Sequence, residues 1–313
     1  PLELNFHRID HKEGLAAYLR EYLRRILMAE RPNPDDYRAW QRPQYYVDSL
    51  MWENDPLYGW CKKNVKRDGT HYDIYTDGLK IFTAIDSRMQ QYAEEAVKKQ
   101  VGQVMQAKFD AEKRGAANAP YVSTLSVKDV NQRLAKAMKQ SDRYRLMKAD
   151  GATDAEIEEA FNRRVPMTVY TPRGEVDTLM TPRDSIRYYK RFLRAGLVSI
   201  DPETGHVKAY VGGLDYAHFQ YDMATVGRRQ VGSTMKPFVY AMAMQGGYTP
   251  ESTILNVQRT YGDWSPRNGS KARYGEVVTL KWGLSQSNNW VTAELMYQID
   301  NTGQGLVRDL QDL

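Results

Sequence analysis

Apolar residues recur every three to four positions in several stretches of this chain, which is the period of an amphipathic helix. The first such stretch covers residues 14–29, where leucine, isoleucine and tyrosine share one face and arginines lie on the other. Pro32 and Pro34 end it, because proline interrupts a helix. The following residues up to 76 are rich in proline, tryptophan and tyrosine, and they indicate a connecting region of short helices and strands.

From residue 77 onward, stretches with the helical period of three to four positions alternate with stretches that have the two-residue period of a β-strand. Residues 79–85 (LKIFTAI) predict a strand, and Asp86 or Ser87 is placed to cap the helix that follows. Apolar alternation on either side of tight-turn sequences predicts two hairpins, at 167–180 and 197–211. The first predicted helix of this part runs from 87 to the Gly/Ala/Asn/Pro cluster at 115–120, and a second covers 127–148. A capping box at 153–156 begins a short helix that ends near 161. Further helices are predicted over 182–196, from 232 to 246, over 280–286 and after 289.

Composition limits the class of protein. The chain has 313 residues, 42% of them hydrophobic and 27% charged, as in an ordinary soluble globular protein of about two domains. The net charge is +5, but lysine and arginine are spread along the chain without an aromatic-interleaved stripe, so we expect no nucleic-acid partner. The single cysteine, Cys61, excludes an internal disulfide.

Ser233 and Lys236 are the strongest candidates for chemistry. They lie three residues apart at the predicted start of a helix, and residues at this spacing share a helix face. A serine hydroxyl needs a base to become a nucleophile, and a lysine can be that base if burial leaves its amine neutral. Ser-x-x-Lys alone is weak, because a chain of this length should contain roughly one by chance.

A second candidate element is Ser287-x-Asn289, between two predicted helices. A hydroxyl at this place can relay a proton to a leaving amine, and a carboxamide can hold a substrate carbonyl or fix the lysine. Helix capping by either residue is the structural alternative. In the polar loop between the two motifs, we expect Trp264 and Asn268 to contact substrate.

These motifs, in this order, resemble the penicillin-binding proteins, and more closely their class A type. The resemblance rests on Arg229-Gln230-x-Gly232-Ser233-x-x-Lys236-Pro237-Phe238, on Gly283-Leu284-x-x-Ser287-x-Asn289, on the Asp201-Pro202-x-Thr204-Gly205 hairpin with Val211-Gly212-Gly213, and on residues 78–94. It implies an α+β transpeptidase fold shared with serine β-lactamases, an antiparallel sheet packed by helices. The helix at the start resembles the segment after the glycosyltransferase domain of class A members, so residues 1–76 are expected to be the connecting region and 77–313 part of the transpeptidase domain.

The resemblance implies a peptidoglycan D,D-transpeptidase. Ser233 would attack a D-alanyl-D-alanine stem peptide, Lys236 would take its proton, and Ser287 and Asn289 would assist proton transfer and positioning. β-Lactams would acylate Ser233 as mimics of that dipeptide. No metal or organic cofactor is implied. The expected location is the periplasmic face of the bacterial cytoplasmic membrane, with a membrane anchor and a glycosyltransferase domain outside this sequence.

One departure from the family is large. The third motif, Lys-Thr-Gly or Lys-Ser-Gly, does not occur in the 313 residues. In the family, the strand that carries it binds the substrate carboxylate and supplies one oxyanion N–H. Loss of one such donor costs on the order of a hundred- to a thousandfold in rate. We therefore expect this chain by itself to be a poor or inactive catalyst.

Two alternatives stay open from the sequence. A D,D-carboxypeptidase or β-lactam hydrolase would use the same residues with water as the acceptor, although the long region at 1–76 argues against a compact secreted hydrolase. A cell-wall scaffold module with a vestigial Ser-x-x-Lys would use none of them.

Overall fold

The computed structural model describes residues 14–300, and its fold divides after Gly227 into two compact units. Each unit combines helices with short antiparallel two-stranded sheets, which confirms the predicted α+β class. Among the described residues, the first unit contains nine α-helices and the second contains three.

The first unit is mainly helical. Its helices are α1 (Ala17–Leu27), α2 (Arg42–Asn54), α3 (Trp60–Lys63), α4 (Ser87–Val97), α5 (Gln106–Glu112), α6 (Val127–Lys139), α7 (Asp142–Ala149), α8 (Asp154–Asn162) and α9 (Pro182–Tyr189). A π-helical segment, Lys98–Met105, joins α4 to α5. Strands β1 (Val165–Thr171) and β2 (Gly174–Met180) form one hairpin, and β3 (Leu197–Ile200) and β4 (Val207–Val211) form another.

Gln90 fastens helix α4 to strand β4. Its side chain is fully buried, and its amide both donates to the Tyr210 carbonyl at 2.8 Å and accepts from the Tyr210 N–H at 2.7 Å. The side chain thus supplies the pair of bonds that a neighbouring strand residue would supply. An apolar cluster that includes Ala93, Val97, Ala209 and Val211 fills the space around this link.

Local sequence signals place several elements of this unit. The predicted capping box is formed, with Thr153 and Glu156 each satisfying a backbone N–H of the other. Both predicted hairpins are also present: the first begins two residues earlier than predicted, at Val165, and the second has the predicted bounds, 197–211. These signals depend on hydrogen bonds and backbone preferences within a few residues, so tertiary contacts did not change the predicted elements.

Three predicted elements of this unit were wrong in type or extent. Residues 79–85 form no strand, because within residues 14–300 no second strand pairs with them, and Phe82 is 90% exposed. The helix predicted over 127–148 is two helices, since Ser141 caps α7 through its hydroxyl and ends the continuity. The helix predicted over 182–196 ends at Tyr189.

The second unit begins at Arg228 and contains all the candidate site residues. A 3₁₀ turn (Gly232–Met235) leads directly into α10 (Lys236–Gln245), followed by β5 (Thr253–Leu255), β6 (Val277–Thr279), α11 (Leu280–Ser285) and α12 (Asn289–Ile299). The two strands pair antiparallel and were not predicted. The core is formed by apolar residues of α10, α11, α12 and both strands, among them Ala243, Val278, Leu280, Val291 and Leu295.

No helix within residues 14–300 has both the length and the apolar content needed to cross a bilayer.

Candidate active site

Ser233 and Lys236 lie at the junction of the 3₁₀ turn and helix α10. Gly232 opens the turn with a φ of 58°, a left-handed conformation that glycine adopts without steric cost. Ser233 lies in the turn and is exposed. Lys236 is the first residue of α10, and it is only 7% exposed. Among the described residues, the Ser233 hydroxyl has no hydrogen-bond partner, which leaves it available to a ligand.

Lys236 is surrounded by neutral oxygen atoms. Its Nζ donates to the Ser287 carbonyl at 2.5 Å, to the Ser287 hydroxyl at 3.1 Å and to Asn289 Oδ1 at 2.6 Å. Within residues 14–300 no carboxylate contacts this amine. Burial lowers the pKa of Lys236, because the charged ammonium loses hydration that these acceptors replace only in part.

Ser287 presents its carbonyl and its hydroxyl to the same amine. It can do so because its backbone is left-handed, with a φ of 49°. A residue with a side chain adopts this conformation at a cost of roughly 1–2 kcal/mol. Strain of this kind persists where the surrounding structure requires it, often at functional sites.

Asn289 is oriented by the loop that precedes β6. Its Nδ2 donates to the Arg267 carbonyl at 2.7 Å, and a carbonyl can only accept. The carboxamide oxygen therefore faces Lys236. The backbone N–H of Asn289 donates to Asn268 Oδ1 at 2.7 Å, which fixes the first residue of α12 as well.

A buried amide network lies beneath the second motif. Asn288 caps α12 by accepting from the Val291 N–H, and it donates to Asn256 Oδ1 at 3.0 Å. Asn256 is fully buried and donates to the carbonyls of Ala272 and Arg273. The network ties the end of β5 to the start of α12, so the position of Asn289 depends on both.

A cavity of about 660 Å³ opens beside these groups. Ser233, Lys236 and Asn289 lie on its wall, and so do Trp264 and Arg267. Apolar side chains from the 3₁₀ turn, α10 and α12 extend the same wall, namely Met235, Val239, Ala293 and Met296. The space is large enough for a peptide end to lie against the serine.

The structure places four of the six predicted site residues on the wall of this cavity, namely Ser233, Lys236, Trp264 and Asn289, and Ser287 contacts Lys236 from outside the lining. Asn268 acts on the protein itself, because its side chain accepts from the backbone of Asn289. Trp264 lines the cavity and is 57% exposed, so its ring is free to meet a ligand. Substrate contact by Trp264 and Asn268 stays a prediction, as do the catalytic roles of Ser233, Lys236, Ser287 and Asn289.

The sequence interpretation missed the groups that hold this site in place. Arg267 contributes through its backbone carbonyl, which no side-chain pattern reports. Asn256 lies 32 residues before its partner Asn288, so spacing gave no signal. Glu294 had a visible signal, because it is the one acidic residue in the otherwise uncharged run 288–299.

Two family models match this chain. The penicillin-binding protein middle domain matches residues 116–193, and the penicillin binding protein transpeptidase domain matches residues 195–304. Penicillin-binding protein 1A of Escherichia coli K12 is 31% identical over 258 residues, which is 71% of this chain and 30% of that relative. Penicillin-binding protein 1A of Aquifex aeolicus is 39% identical over 124 residues, or 38% of this chain and 16% of the relative.

Penicillin-binding protein 1A of Neisseria flavescens is 29% identical over 264 residues, covering 72% of this chain. The chain spans about 30% of the length of the Escherichia coli and Neisseria flavescens relatives. Among solved structures, a crystal structure of penicillin-binding protein 1A from Haemophilus influenzae matches 84% of this chain and 40% of its own, with 19% sequence identity and a TM-score of 0.41.

Proposed function

Because the chain belongs to the class A penicillin-binding proteins, we propose that its second unit supplies the nucleophile and base of a serine D,D-transpeptidase of peptidoglycan synthesis. The observation that carries this proposal is the environment of Lys236. The amine is buried, no carboxylate contacts it within residues 14–300, and burial lowers its pKa, so its neutral form, which can accept a proton from Ser233, is more accessible than in an exposed lysine.

The reaction begins with attack by the Ser233 hydroxyl on the carbonyl carbon of the D-alanyl-D-alanine bond. Lys236 takes the hydroxyl proton as the serine–carbonyl bond forms. The Ser287 hydroxyl, whose oxygen accepts from Lys236 Nζ at 3.1 Å, passes its proton to the leaving D-alanine amine and receives the proton that Lys236 took. An amine of a neighbouring stem peptide then attacks the ester and forms the cross-link, and the proton that this amine loses returns to the Ser233 oxygen through Lys236.

β-Lactams would acylate the same serine. Asn289 has two possible roles, since its carboxamide holds Lys236 and lies on the wall of the cavity where a stem peptide would bind. The hydrolase and scaffold alternatives are not favoured, because the family match is to a transpeptidase domain.

The proposal for the whole protein is broader. We expect a glycosyltransferase domain and a membrane anchor in the polypeptide that contains this chain, with the transpeptidase on the periplasmic side of the membrane. The predicted division into a connecting region, 1–76, and a transpeptidase part, 77–313, also stays a prediction.

Covalent labelling with a fluorescent penicillin tests the function. The longest natural polypeptide that contains this chain should be labelled, and Ser233→Ala should abolish the label. Ser285→Ala is the matched control, because Ser285 is an exposed serine outside the cavity whose hydroxyl donates to the Trp282 carbonyl and accepts from the adjacent Gln286 side chain. An unlabelled wild-type protein, or a Ser233→Ala protein that still carries label, would overturn the proposal.

The 313-residue chain alone provides a second test. It contains no third motif, so we expect weak labelling at most. Labelling at the rate of the longer polypeptide would show that the missing strand is not needed for acylation.

A further inference from the structure

Glu294 is a buried carboxylate close to the site with no part in the mechanism above. It lies on α12 just over one helical turn after Asn289 and is 5% exposed. All six residues from Trp290 to Leu295 are buried, so this part of the helix is enclosed on every side. A carboxylate in such surroundings is costly unless hydrogen-bond donors surround it.

Three donors meet the Glu294 carboxylate. Oε1 accepts from Arg259 Nη1 and from Gln298 Nε2, both at 3.0 Å. Oε2 accepts from the Tyr261 hydroxyl at 2.8 Å. Burial and this hydrogen bond raise the pKa of Tyr261, so its hydroxyl stays protonated and remains a donor.

Arg259 and Tyr261 belong to one arm of a folded-back loop, residues 259–268. Tyr261 and Trp264 exchange two backbone hydrogen bonds, at 2.8 and 3.1 Å, which close a tight turn. The Thr260 and Ser265 hydroxyls bond across the same turn at 2.6 Å. The two arms are therefore coupled, and a shift of the first arm moves the second.

The second arm reaches the active site. The Pro266 carbonyl accepts from the Trp290 indole at 3.0 Å, the Arg267 carbonyl from Asn289 Nδ2 and the Asn268 side chain from the Asn289 N–H. Helix α12 thus holds the loop at two places. Glu294 binds the first arm, and residues 289–290 bind the second arm. Of these two sets of contacts, only the set at residues 289–290 involves a residue of the active site, Asn289.

We propose that Glu294 is a positioning residue for acylation: it anchors the 259–268 loop to α12, so that the Arg267 carbonyl keeps the Asn289 carboxamide oxygen aimed at Lys236. If the anchor is lost, the Arg267 carbonyl shifts and the carboxamide can rotate. In part of the population, the Asn289 NH₂ group then faces Lys236 Nζ. Both groups are hydrogen-bond donors, so the hydrogen bond between the two side chains is lost. The inference rests on the proposed function for its effect on rate, but not for its effect on the loop.

Two variants of Glu294 test the anchor. Glu294→Leu removes all three acceptor contacts, and Glu294→Gln removes the charge but keeps one acceptor oxygen. In the longest natural polypeptide, the acylation rate constant with a fluorescent penicillin should fall about tenfold for Glu294→Leu and less for Glu294→Gln, because a displaced Asn289 carboxamide slows the chemical step. If Glu294→Leu does not fold, Glu294→Gln carries the test. Rate constants within twofold of wild type would overturn the proposal.

The coupling to the loop has its own test. Tyr261→Phe removes one of the loop's donors, so it should lower the acylation rate constant in the wild-type background and add little in Glu294→Gln. Glu276→Gln is the matched control, because Glu276 pairs with Arg273 at 2.8 Å in the same unit but lies outside the loop. Independent, additive effects of Tyr261→Phe and Glu294→Gln would contradict action through the loop.

Hydrogen exchange separates this inference from the proposed function. The Asn289 amide should exchange at least about tenfold faster in Glu294→Gln, whereas the amide of Ala243 in the core of α10 should not change. If wild-type Ser233 is not acylated, the proposed function fails and the exchange result alone decides: faster exchange at Asn289 supports the anchor. Unchanged exchange, or equal acceleration at Ala243, would mean that Glu294 does not position Asn289.

Discussion

Asn289→Asp replaces a neutral carboxamide with a carboxylate of the same shape beside Lys236. The oxygen that now accepts from Nζ at 2.6 Å would carry negative charge. The second oxygen would face the Arg267 carbonyl at the position where Nδ2 now donates at 2.7 Å. The carboxylate stabilises the ammonium form, so the substitution raises the pKa of Lys236 against the effect of burial.

The size of the effect follows from the hydrogen bond that must be lost. A hydrogen bond to a charged group is worth about 1.5–3 kcal/mol, and the ammonium must give this up to become a neutral base. Since about 1.4 kcal/mol corresponds to a factor of ten, acylation of Ser233 at pH 7 should slow by about ten- to a hundredfold. The substitution also places a carboxylate oxygen against the Arg267 carbonyl oxygen, and this repulsion lowers the free energy of unfolding. A thermal unfolding curve measures that loss of stability separately from the rate.

The pH dependence distinguishes this cause from a simple loss of geometry. Lys236 acts as a base only when neutral, so the rate falls as pH drops below its pKa in the acylation-competent enzyme. A raised pKa moves that fall to higher pH, and the deficit of Asn289→Asp should shrink as the pH is raised towards about 9. Stopped-flow acylation by a chromogenic cephalosporin over pH 6–9 measures this directly.

Asn289→Ala is the matched control, because it removes the acceptor without adding charge. Its fall in rate should not move to higher pH. A deficit of Asn289→Asp that is the same at every pH would refute the assignment of Lys236 as a neutral base. A fall in rate that moves to lower pH would refute it as well.

Two further predictions concern the backbone and the buried amides. Ser287→Gly and Ser287→Ala both remove the hydroxyl and should slow acylation alike, but the glycine variant should be more stable by about 1 kcal/mol, because only glycine adopts the φ of 49° without strain; equal melting temperatures would contradict the strain argument. Asn256→Leu strands the Ala272 and Arg273 carbonyls and the Asn288 amide, so urea denaturation should show a loss of about 2–4 kcal/mol in unfolding free energy. A loss below about 1 kcal/mol would mean that these groups find other partners.

The sequence predicted those features that depend on a few neighbouring residues. The capping box at Thr153 and the turn of the 167–180 hairpin follow from local hydrogen bonds and backbone preferences, and both are present. The strand at 79–85 was wrong because a strand needs a partner, and apolar alternation does not say whether one exists. The pair β5 and β6 was missed for a related reason, since three residues are too few to show a period.

In the candidate site, too, the features set by neighbouring residues were predicted and those that depend on distant residues were not. Ser233, Lys236, Ser287 and Asn289 were identified from two short motifs; the structure places Ser233, Lys236 and Asn289 on one cavity wall and Ser287 in contact with Lys236. The anchoring groups came from distant positions: Arg259 meets Glu294 across 35 residues, and the Arg267 carbonyl meets Asn289 across 22. Such contacts depend on how the loop folds back, which residue types and spacing do not determine.

One partner of Lys236 is a main-chain oxygen, and this affects how the protein can change over generations. No codon substitution deletes a carbonyl group, so drug selection acting on single mutations cannot remove the Ser287 oxygen from the lysine. Only a change in the local twist of the chain could withdraw it, and the residues that tolerate that twist are few: glycine, asparagine, aspartate and, at a cost, serine. Position 287 is therefore restricted twice, once by its hydroxyl and once by its backbone, and most substitutions there would fail on both counts.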